Sequence, residues 1–270
     1  MRIHSFDDRP HWSFSSLNQL LNICSLQWFL QRIEKVKPEF TPLNLVVGSL
    51  FHRVLEQAYL ARKNNTAFTV EDATGLFSAS WEKALEEGGM RFTKLGPDEA
   101  SEQGRKLIAC ALEHVGDEKV LSISEPFTVP VQFRGTYLEQ PLVGEFDLVT
   151  GTKARPIVVD WKTSATRWSG KQAEKSLQAT VYSYAYSQKH RVNPEVRFDV
   201  TVKNKTPVFE QHCTRRSPDS WERLGALVSR AESIVEHGLF YPAETSFFCG
   251  ECPYAGACRA WHRSAGIQAA

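Results

Sequence analysis

The stretch Ile157-Val158-Val159-Asp160-Trp161-Lys162 decides the fold, because it places two charged residues in a run that otherwise predicts a β-strand. Successive side chains of a strand point to opposite faces, so Asp160 and Lys162 lie on the same face as Val158. Taken alone, an Asp-x-Lys pattern on a strand is more often the solvated edge of a sheet, and further motifs have to decide its role.

A second carboxylate precedes this strand. The sequence Gly144-Glu145-Phe146-Asp147 belongs to a predicted strand over residues 142–149, in which Asp147 shares a face with Glu145. Two carboxylates and a lysine that converge from neighbouring strands suit a divalent metal at a phosphodiester. The carboxylates are hard oxygen ligands for Mg²⁺ or Mn²⁺, and the lysine can orient or activate a water molecule.

Two pairs of polar residues occur at helical spacing. Gln178 and Tyr182 are four residues apart in a predicted helix over residues 171–190, so they share one face of it. His52 and Glu56 form a similar pair in a predicted helix over residues 49–62. Alone, His52 is best interpreted as an ordinary helix histidine.

In chain order the motifs are Gly-x-x-x-His, Gly-x-x-Asp, Asp-x-Lys and Gln-x-x-x-Tyr, and they span residues 48–182. This order resembles the RecB-like branch of the PD-(D/E)xK nucleases. The resemblance implies an α/β fold, in which a mixed central sheet is flanked by helices, with an N-terminal helical part and a C-terminal cysteine tail. One position departs from the family, which often has a basic residue where Glu145 stands. Glu145 is either a ligand of a second metal or a solvated side chain.

The resemblance also implies roles for single residues. The metal ligands are expected to be His52, Asp147, Asp160 and the backbone carbonyl of Trp161. An imidazole ligand makes Mn²⁺ as good a cofactor as Mg²⁺. Lys162 is expected to position or deprotonate the attacking water, while Gln178 and Tyr182 orient the lysine, the metal waters or the DNA. Hydrolysis would leave a 5′-phosphate and a 3′-hydroxyl.

Three of the six cysteines form a C-x₂-C-x₅-C motif near the C-terminus, at Cys249, Cys252 and Cys258. Cys24 is the natural fourth ligand, since iron–sulfur clusters and structural zinc usually take four. The arrangement resembles the iron–sulfur staple of AddB-type and CRISPR-associated RecB-like nucleases, which implies a structural 4Fe-4S cluster. Structural Zn²⁺ is the alternative. Disulfides are disfavoured, because the N-terminus shows no apolar segment of the secretory type.

The 270 residues are enough for one nuclease domain, and the 42% hydrophobic and 23% charged residues are typical of a soluble protein. Residues 64–125 are predicted to form a helical cap or insertion. The tail over residues 239–262 is expected to bind the cluster and to pack with a helix over residues 14–36. Apolar runs are too short to span a membrane, so we expect a cytoplasmic protein without membrane contact.

The charge is uneven although the net charge is only +1. Residues 160–216 contain eleven Lys and Arg against five Asp and Glu. This basic half predicts contact with the phosphates of a single strand or of a frayed DNA end. We expect DNA contacts from Lys171, Lys175 and Trp168, whose ring either stacks on a base or packs against the sheet.

The expected activity is that of a Mg²⁺- or Mn²⁺-dependent deoxyribonuclease, acting as an exonuclease in DNA repair, recombination or CRISPR adaptation. No phosphate-binding loop of the type G-x-x-x-x-G-K-[ST] occurs, so unwinding would need a separate helicase, and CRISPR integrase subunits are other possible partners. Two alternatives stay open. One is a non-catalytic DNA-binding module held by the metal cluster, and the other is a restriction-type endonuclease.

Overall fold

The computed structural model describes residues 10–268. Its α-helices are α1 (Phe14–Asn18), α2 (Ser25–Arg32), α3 (Leu43–Lys63), α4 (Val70–Glu87), α5 (Pro97–Leu112), α6 (Gly170–Lys175), α7 (Leu177–His190), α8 (Pro218–Glu236) and α9 (Ala255–Gln268). Its strands are β1 (Thr41–Pro42), β2 (Met90–Arg91), β3 (Val120–Val129), β4 (Gln132–Phe133), β5 (Thr136–Tyr137), β6 (Leu142–Thr152), β7 (Arg155–Ser164), β8 (Glu195–Val202) and β9 (Val208–Thr214).

A mixed five-stranded sheet forms the centre, with the strand order β3-β6-β7-β8-β9. Only β7 and β8 run parallel, and the chain between them crosses over through α6 and α7. The other neighbours are antiparallel, and β8 and β9 form a hairpin. The sheet and its flanking helices confirm the predicted α/β class.

Each face of the sheet carries its own apolar core. On one face, buried residues of α7 and α8, such as Val181 and Leu224, pack against strand residues such as Phe198. On the other face, α3, α4 and α5 enclose a second core that includes Phe77 and Trp161. The helices of residues 64–125 thus share a core with α3 and the sheet. Their role as a cap stays a prediction.

Two local predictions were wrong. The single helix expected over residues 14–36 is interrupted by a π-helical turn at Gln19–Ile23, and Cys24 follows it in an extended conformation with φ −167° and ψ 115°. Cys24 caps α2 rather than lying inside a helix, because its Sγ accepts a hydrogen bond from the Gln27 amide at 3.4 Å.

The second correction concerns the helix expected over residues 171–190, which is two helices that meet at Ser176. The Ser176 hydroxyl accepts a hydrogen bond from the Ala179 amide at 3.3 Å and so begins α7 anew. The tail, for which no element was predicted from the sequence, contains α9. Within residues 10–268, no helix combines the length and the apolar character that crossing a membrane requires.

Candidate active site

The site lies where two strands of the sheet separate. Pairing of β6 with β7 runs from Thr152–Arg155 to Leu148–Val159 and stops there, while β6 remains paired with β3. Asp147 and Asp160 are the next residues on the two strands. The backbone pairing with β6 has ended at this point, and the Trp161 amide donates to the side chain of Asp147, at Oδ2, over 3.0 Å. The end of the pairing therefore brings the two predicted carboxylates together.

Asp160 is the most enclosed group of the site, with 1% of its surface exposed. Gln178 Nε2 donates to its Oδ1 at 2.6 Å, and Lys162 Nζ forms an ion pair with its Oδ2 at 2.6 Å. The Asp160 and Lys162 side chains lie on one face, as the alternation of the strand predicted. The contact with Gln178 shows that α7 presents the predicted polar pair to the sheet.

Tyr182 stands behind Gln178. Gln178 Nε2 also donates to Tyr182 Oη at 3.1 Å, so the two residues at helical spacing contact each other. Burial raises the pKa of Tyr182 well above its usual range, and the nearby Asp160 and Asp147 carboxylates raise it further. Tyr182 thus stays protonated, and its hydroxyl accepts the Gln178 hydrogen bond while its own proton remains available to donate.

His52 reaches the site from α3. Its Nε2 lies 2.6 Å from the carbonyl oxygen of Trp161, and its Nδ1 lies 3.5 Å from Asp147 Oδ2. Burial acts to lower the pKa of the imidazole, but the Asp147 carboxylate outweighs it, so the pKa of His52 is raised. The Trp161 ring stacks on Tyr59, with 5.5 Å between ring centroids, and this contact holds the carbonyl in place.

The two carboxylates differ in protonation behaviour. Burial acts to raise the pKa of Asp147, but His52, Lys162 and the Trp161 amide outweigh it, and the pKa is lowered. For Asp160, burial and the Asp147 charge outweigh the opposing Lys162, and the pKa is raised. The raised pKa means that Lys162 alone does not offset the burial of the ionised Asp160 carboxylate and the repulsion by Asp147. A bound cation would supply that charge.

The donor set fits a hard divalent cation in its chemistry. His52, Asp147, Asp160 and the Trp161 carbonyl provide one imidazole nitrogen and several oxygens, which suits Mn²⁺ or Mg²⁺. Within the described part of the chain, however, no three His, Cys, Asp or Glu side chains form a ready cation cage. The ligands instead contact each other, and Lys162 contacts Asp160. Glu145 nearby is half-buried, which disfavours the solvated alternative.

The four predicted cluster cysteines line a cavity at a second place, although among the described residues no three of them form a ready metal site. Cys24, Cys249, Cys252 and Cys258 line one cavity of about 250 Å³ between the start of α2 and the tail. Burial raises the pKa of Cys258, and the neighbouring Cys24, Cys252 and Cys249 sulfurs raise it further. Besides the Gln27 amide, the Ala243 amide donates to Cys24 Sγ at 3.4 Å. All four are free thiols, as are Cys110 and Cys213 elsewhere.

Trp168 packs against the sheet. Its half-buried ring lies 5.1 Å from the Phe198 ring and 5.7 Å from His212, centroid to centroid. Its amide donates to the Glu210 carboxylate at 3.2 Å, which ties the loop to β9. Lys171 and Lys175 are exposed on α6. Of the three predicted DNA contacts, the two lysines are therefore free to meet a phosphate.

A mixed sheet whose separating strands carry an acidic pair and a lysine defines the class of α/β nucleases. In agreement, a model of the PD-(D/E)XK nuclease superfamily matches residues 11–259. The chain belongs to this superfamily.

Two solved structures are similar to this chain. One, from Eubacterium rectale and described as a "putative exonuclease", has a TM-score of 0.52 and 12% identity, and the match covers 89% of this chain and 87% of the other. The second, SSO0001, has a TM-score of 0.38 and 13% identity over 85% of this chain and 91% of its own, and supports no further argument. No curated relative matches the sequence. At these identities the first similarity concerns the fold alone.

Proposed function

We propose that this protein is a metal-dependent DNA nuclease that acts as an exonuclease on single-stranded or frayed ends. The observation that carries the proposal is the contact set of Asp160, which meets Lys162 on one oxygen and Gln178 on the other while Asp147 lies opposite. A module that only binds DNA has no use for two carboxylates that face a phosphate. This disfavours the non-catalytic alternative.

In the proposed mechanism, His52, Asp147, Asp160 and the Trp161 carbonyl would hold Mg²⁺ or Mn²⁺, which would supply Lewis-acid stabilisation of the charge on the phosphate. Lys162 Nζ, the cation of the ion pair with Asp160, donates a hydrogen bond that positions the attacking water, and it could deprotonate that water only after losing a proton itself. Gln178 fixes the direction of the Asp160 carboxylate, and Tyr182 supports Gln178 from behind. These assignments follow the contacts that each side chain makes.

The proposed substrate rests on the distribution of charge. Eleven basic residues lie in 160–216, and although Arg197 and Arg216 are buried, Lys171 and Lys175 lie exposed on α6. Such a surface suits the phosphates of one strand, with binding that weakens steeply as salt is added. The setting that we favour is DNA repair or recombination with a separate helicase, or CRISPR adaptation beside an integrase.

The test measures cleavage of 5′- and 3′-end-labelled single strands, blunt duplexes and closed circles with Mg²⁺, Mn²⁺ or EDTA. We expect metal-dependent cleavage, faster on single strands than on blunt duplexes, and intact circles. Asp160→Asn and Lys162→Met should each slow it roughly a thousandfold, since each removes several kcal/mol of stabilisation. Cys110→Ser, which lies outside the site, is the control and should cut at the wild-type rate.

The opposite results identify the alternatives. Wild-type cleavage rates in both site variants would refute the nuclease assignment. DNA binding without cleavage by the wild type would favour the non-catalytic binding module. Cleavage of closed circles at fixed sequences would favour a restriction-type endonuclease.

For the cysteine site we propose a structural 4Fe-4S cluster, with structural Zn²⁺ as the alternative. The cavity that the four cysteines share supports ligation by their sulfurs, because both kinds of centre usually take four ligands. Anaerobically purified protein should be brown and contain about four irons per chain. A colourless protein with one zinc would favour zinc, and a brown Cys24→Ser protein would exclude Cys24 as the fourth ligand.

A further inference from the structure

Arg216, which follows β9, is buried with only 7% of its surface exposed. A guanidinium has five N–H donors, and here five acceptors receive hydrogen bonds from it. None of them is a carboxylate. They are the carbonyl oxygens of Ala173, Ser176 and Arg215 and the hydroxyl oxygens of Thr180 and Thr214. A buried cation whose acceptors are all neutral is unusual, because buried charges are generally paired.

The acceptors lie around one feature, the break between α6 and α7. Arg216 Nη2 donates to the Ala173 carbonyl at 2.9 Å, in the last turn of α6, and to the Ser176 carbonyl at 3.0 Å, at the break itself. Its Nε donates to Thr180 Oγ1 at 2.9 Å, in the first turn of α7. Gln178 lies between Ser176 and Thr180 in the chain. One planar group thus binds the backbone before Gln178, the residue that contacts Asp160, and a side chain after it.

Burial also lowers the pKa of Arg216, and Glu174 only partly offsets this. An acidic neighbour therefore compensates the burial of the charge only in part, and no carboxylate accepts a hydrogen bond from the guanidinium. What the side chain does provide is geometry, because the planar fork fixes the direction of several oxygens at once.

We propose that Arg216 is a positioning residue for the active site, which fixes the break between α6 and α7 and so aims Gln178 at Asp160. The inference deepens the proposed nuclease function. Of the two measurements that test it, the cleavage rate rests on that function, whereas the NMR signal of Gln178 does not.

The first measurement is a double-mutant cycle with Arg216→Lys and Gln178→Ala, read as the single-turnover cleavage rate. Lysine keeps the charge but cannot span five acceptors. We expect Arg216→Lys to slow cleavage about tenfold, the effect of losing one well-aimed hydrogen bond. In the Gln178→Ala background the same change should cost less than about twofold, because residues that act as a unit are not additive. Equal losses in both backgrounds would overturn the inference.

Arg197→Lys is the matched control. Arg197 is equally buried, at 7% exposed, but donates to the carboxylates of Asp199 and Glu118 on the opposite face of the sheet. The Arg197→Lys variant should lower the melting temperature as Arg216→Lys does. Its effect on the cleavage rate should be the same in the wild-type and Gln178→Ala backgrounds. A merely structural role for Arg216 would make the two variants behave alike.

The second measurement is the ¹⁵N–¹H signal of the Gln178 side-chain amide, assigned by its loss in Gln178→Ala. Arg216→Lys should shift it and Arg197→Lys should leave it in place, whether or not the protein cuts DNA. An unmoved signal in Arg216→Lys overturns the inference. If that variant fails to fold, Thr180→Val removes one acceptor at similar volume and is subject to the same criteria. A wild type that never cleaves would refute the proposed function alone.

Discussion

At the scale of single residues, Tyr182 contributes to the site through the packing of its ring and through the hydrogen bond of its hydroxyl, and one substitution can separate the two. Its ring packs edge-on against Phe146 at 5.5 Å, and its hydroxyl touches only polar atoms of the site, including Gln178 Nε2 at 3.1 Å. Phenylalanine would keep the ring and remove the hydroxyl. The variant therefore isolates the hydrogen bond from the packing.

For Tyr182→Phe we predict a cleavage rate about tenfold lower, corresponding to the loss of roughly 1.4 kcal/mol of hydrogen bonding in the site. The melting temperature should fall by no more than a few degrees. Single-turnover kinetics and calorimetry measure the two quantities. An unchanged rate would show that the Gln178 amide does not depend on Tyr182.

Trp168 belongs to the core in this structure, since its ring contacts Phe198 and its amide is bound by Glu210. We predict that Trp168→Ala destabilises the protein by about 2–3 kcal/mol, less than for a fully buried tryptophan. Binding to a labelled single strand should stay within about twofold. The reverse outcome, weaker binding with unchanged melting, would assign the ring to base stacking.

Lys171→Ala provides the comparison for Trp168→Ala. Lys171 is exposed, so the Lys171→Ala variant should melt at the same temperature as the wild type but bind a single strand more weakly. The slope of log affinity against log salt should fall by roughly 0.7 for each phosphate contact removed from a single strand.

At the scale of elements, an ion cluster joins β3 to the end of α7. Glu125 accepts from Lys189 Nζ and contacts His190 Nε2, both at 2.7 Å, and it also accepts from the Ser122 hydroxyl. Burial acts to raise the pKa of Glu125, but these partners outweigh it, led by Lys189, and the pKa is lowered. A lowered carboxyl pKa means that the cluster stabilises the fold above the ordinary pKa of 4.5.

We therefore predict that Glu125→Gln loses about 1 kcal/mol of stability near pH 7, a size typical of a half-exposed ion pair. The wild type loses the same contribution as the pH falls below about 4.5 and through the lowered pKa, because Glu125 is then protonated. Urea unfolding at a series of pH values measures the difference, which should shrink in acid. A difference that stays constant between pH 7 and pH 4 would contradict the assignment.

Much at this scale was predictable from periodicity, because alternation and helical spacing are local properties of a sequence. These patterns identified β7 and most of α7. They also showed that Asp160 shares a face with Lys162, and that Gln178 shares a face with Tyr182. They did not identify the break at Ser176 or the cap at Cys24, since in each case a side chain replaces a helical hydrogen bond without interrupting the apolar pattern. The role of Arg216 was missed too, because its contacts are distant in sequence.

At the scale of the whole molecule, the C-terminal tail has little apolar surface to hold it. Its core contains only three fully buried residues among those described, Leu26, Leu30 and Tyr254, with Cys24, Cys252 and Cys258 packed around them. A core this small does not stabilise a segment by itself. Ligation by four thiolates would then supply much of the free energy that holds the tail to α2.

We predict that Cys24→Ser and Cys252→Ser each destabilise the protein by roughly 4 kcal/mol, as for a crosslink that closes a very long loop. Limited proteolysis should then remove the tail near residues 239–262 while the sheet and its two cores remain folded. Cys110→Ser, outside this site, is the control and should resist the protease like the wild type. A Cys24→Ser tail as resistant as the wild type would show that packing alone holds it.

The crossover between the parallel strands β7 and β8 has a consequence for the time course of folding. Parallel pairing closes a long loop and is slow to form, and here the loop itself contains Gln178. His52 comes from α3 on the other side of the sheet. The residues of the candidate site on α3, β6, β7 and α7 meet only after both helical layers have docked on the sheet. A chain that is still emerging from the ribosome therefore has no assembled site.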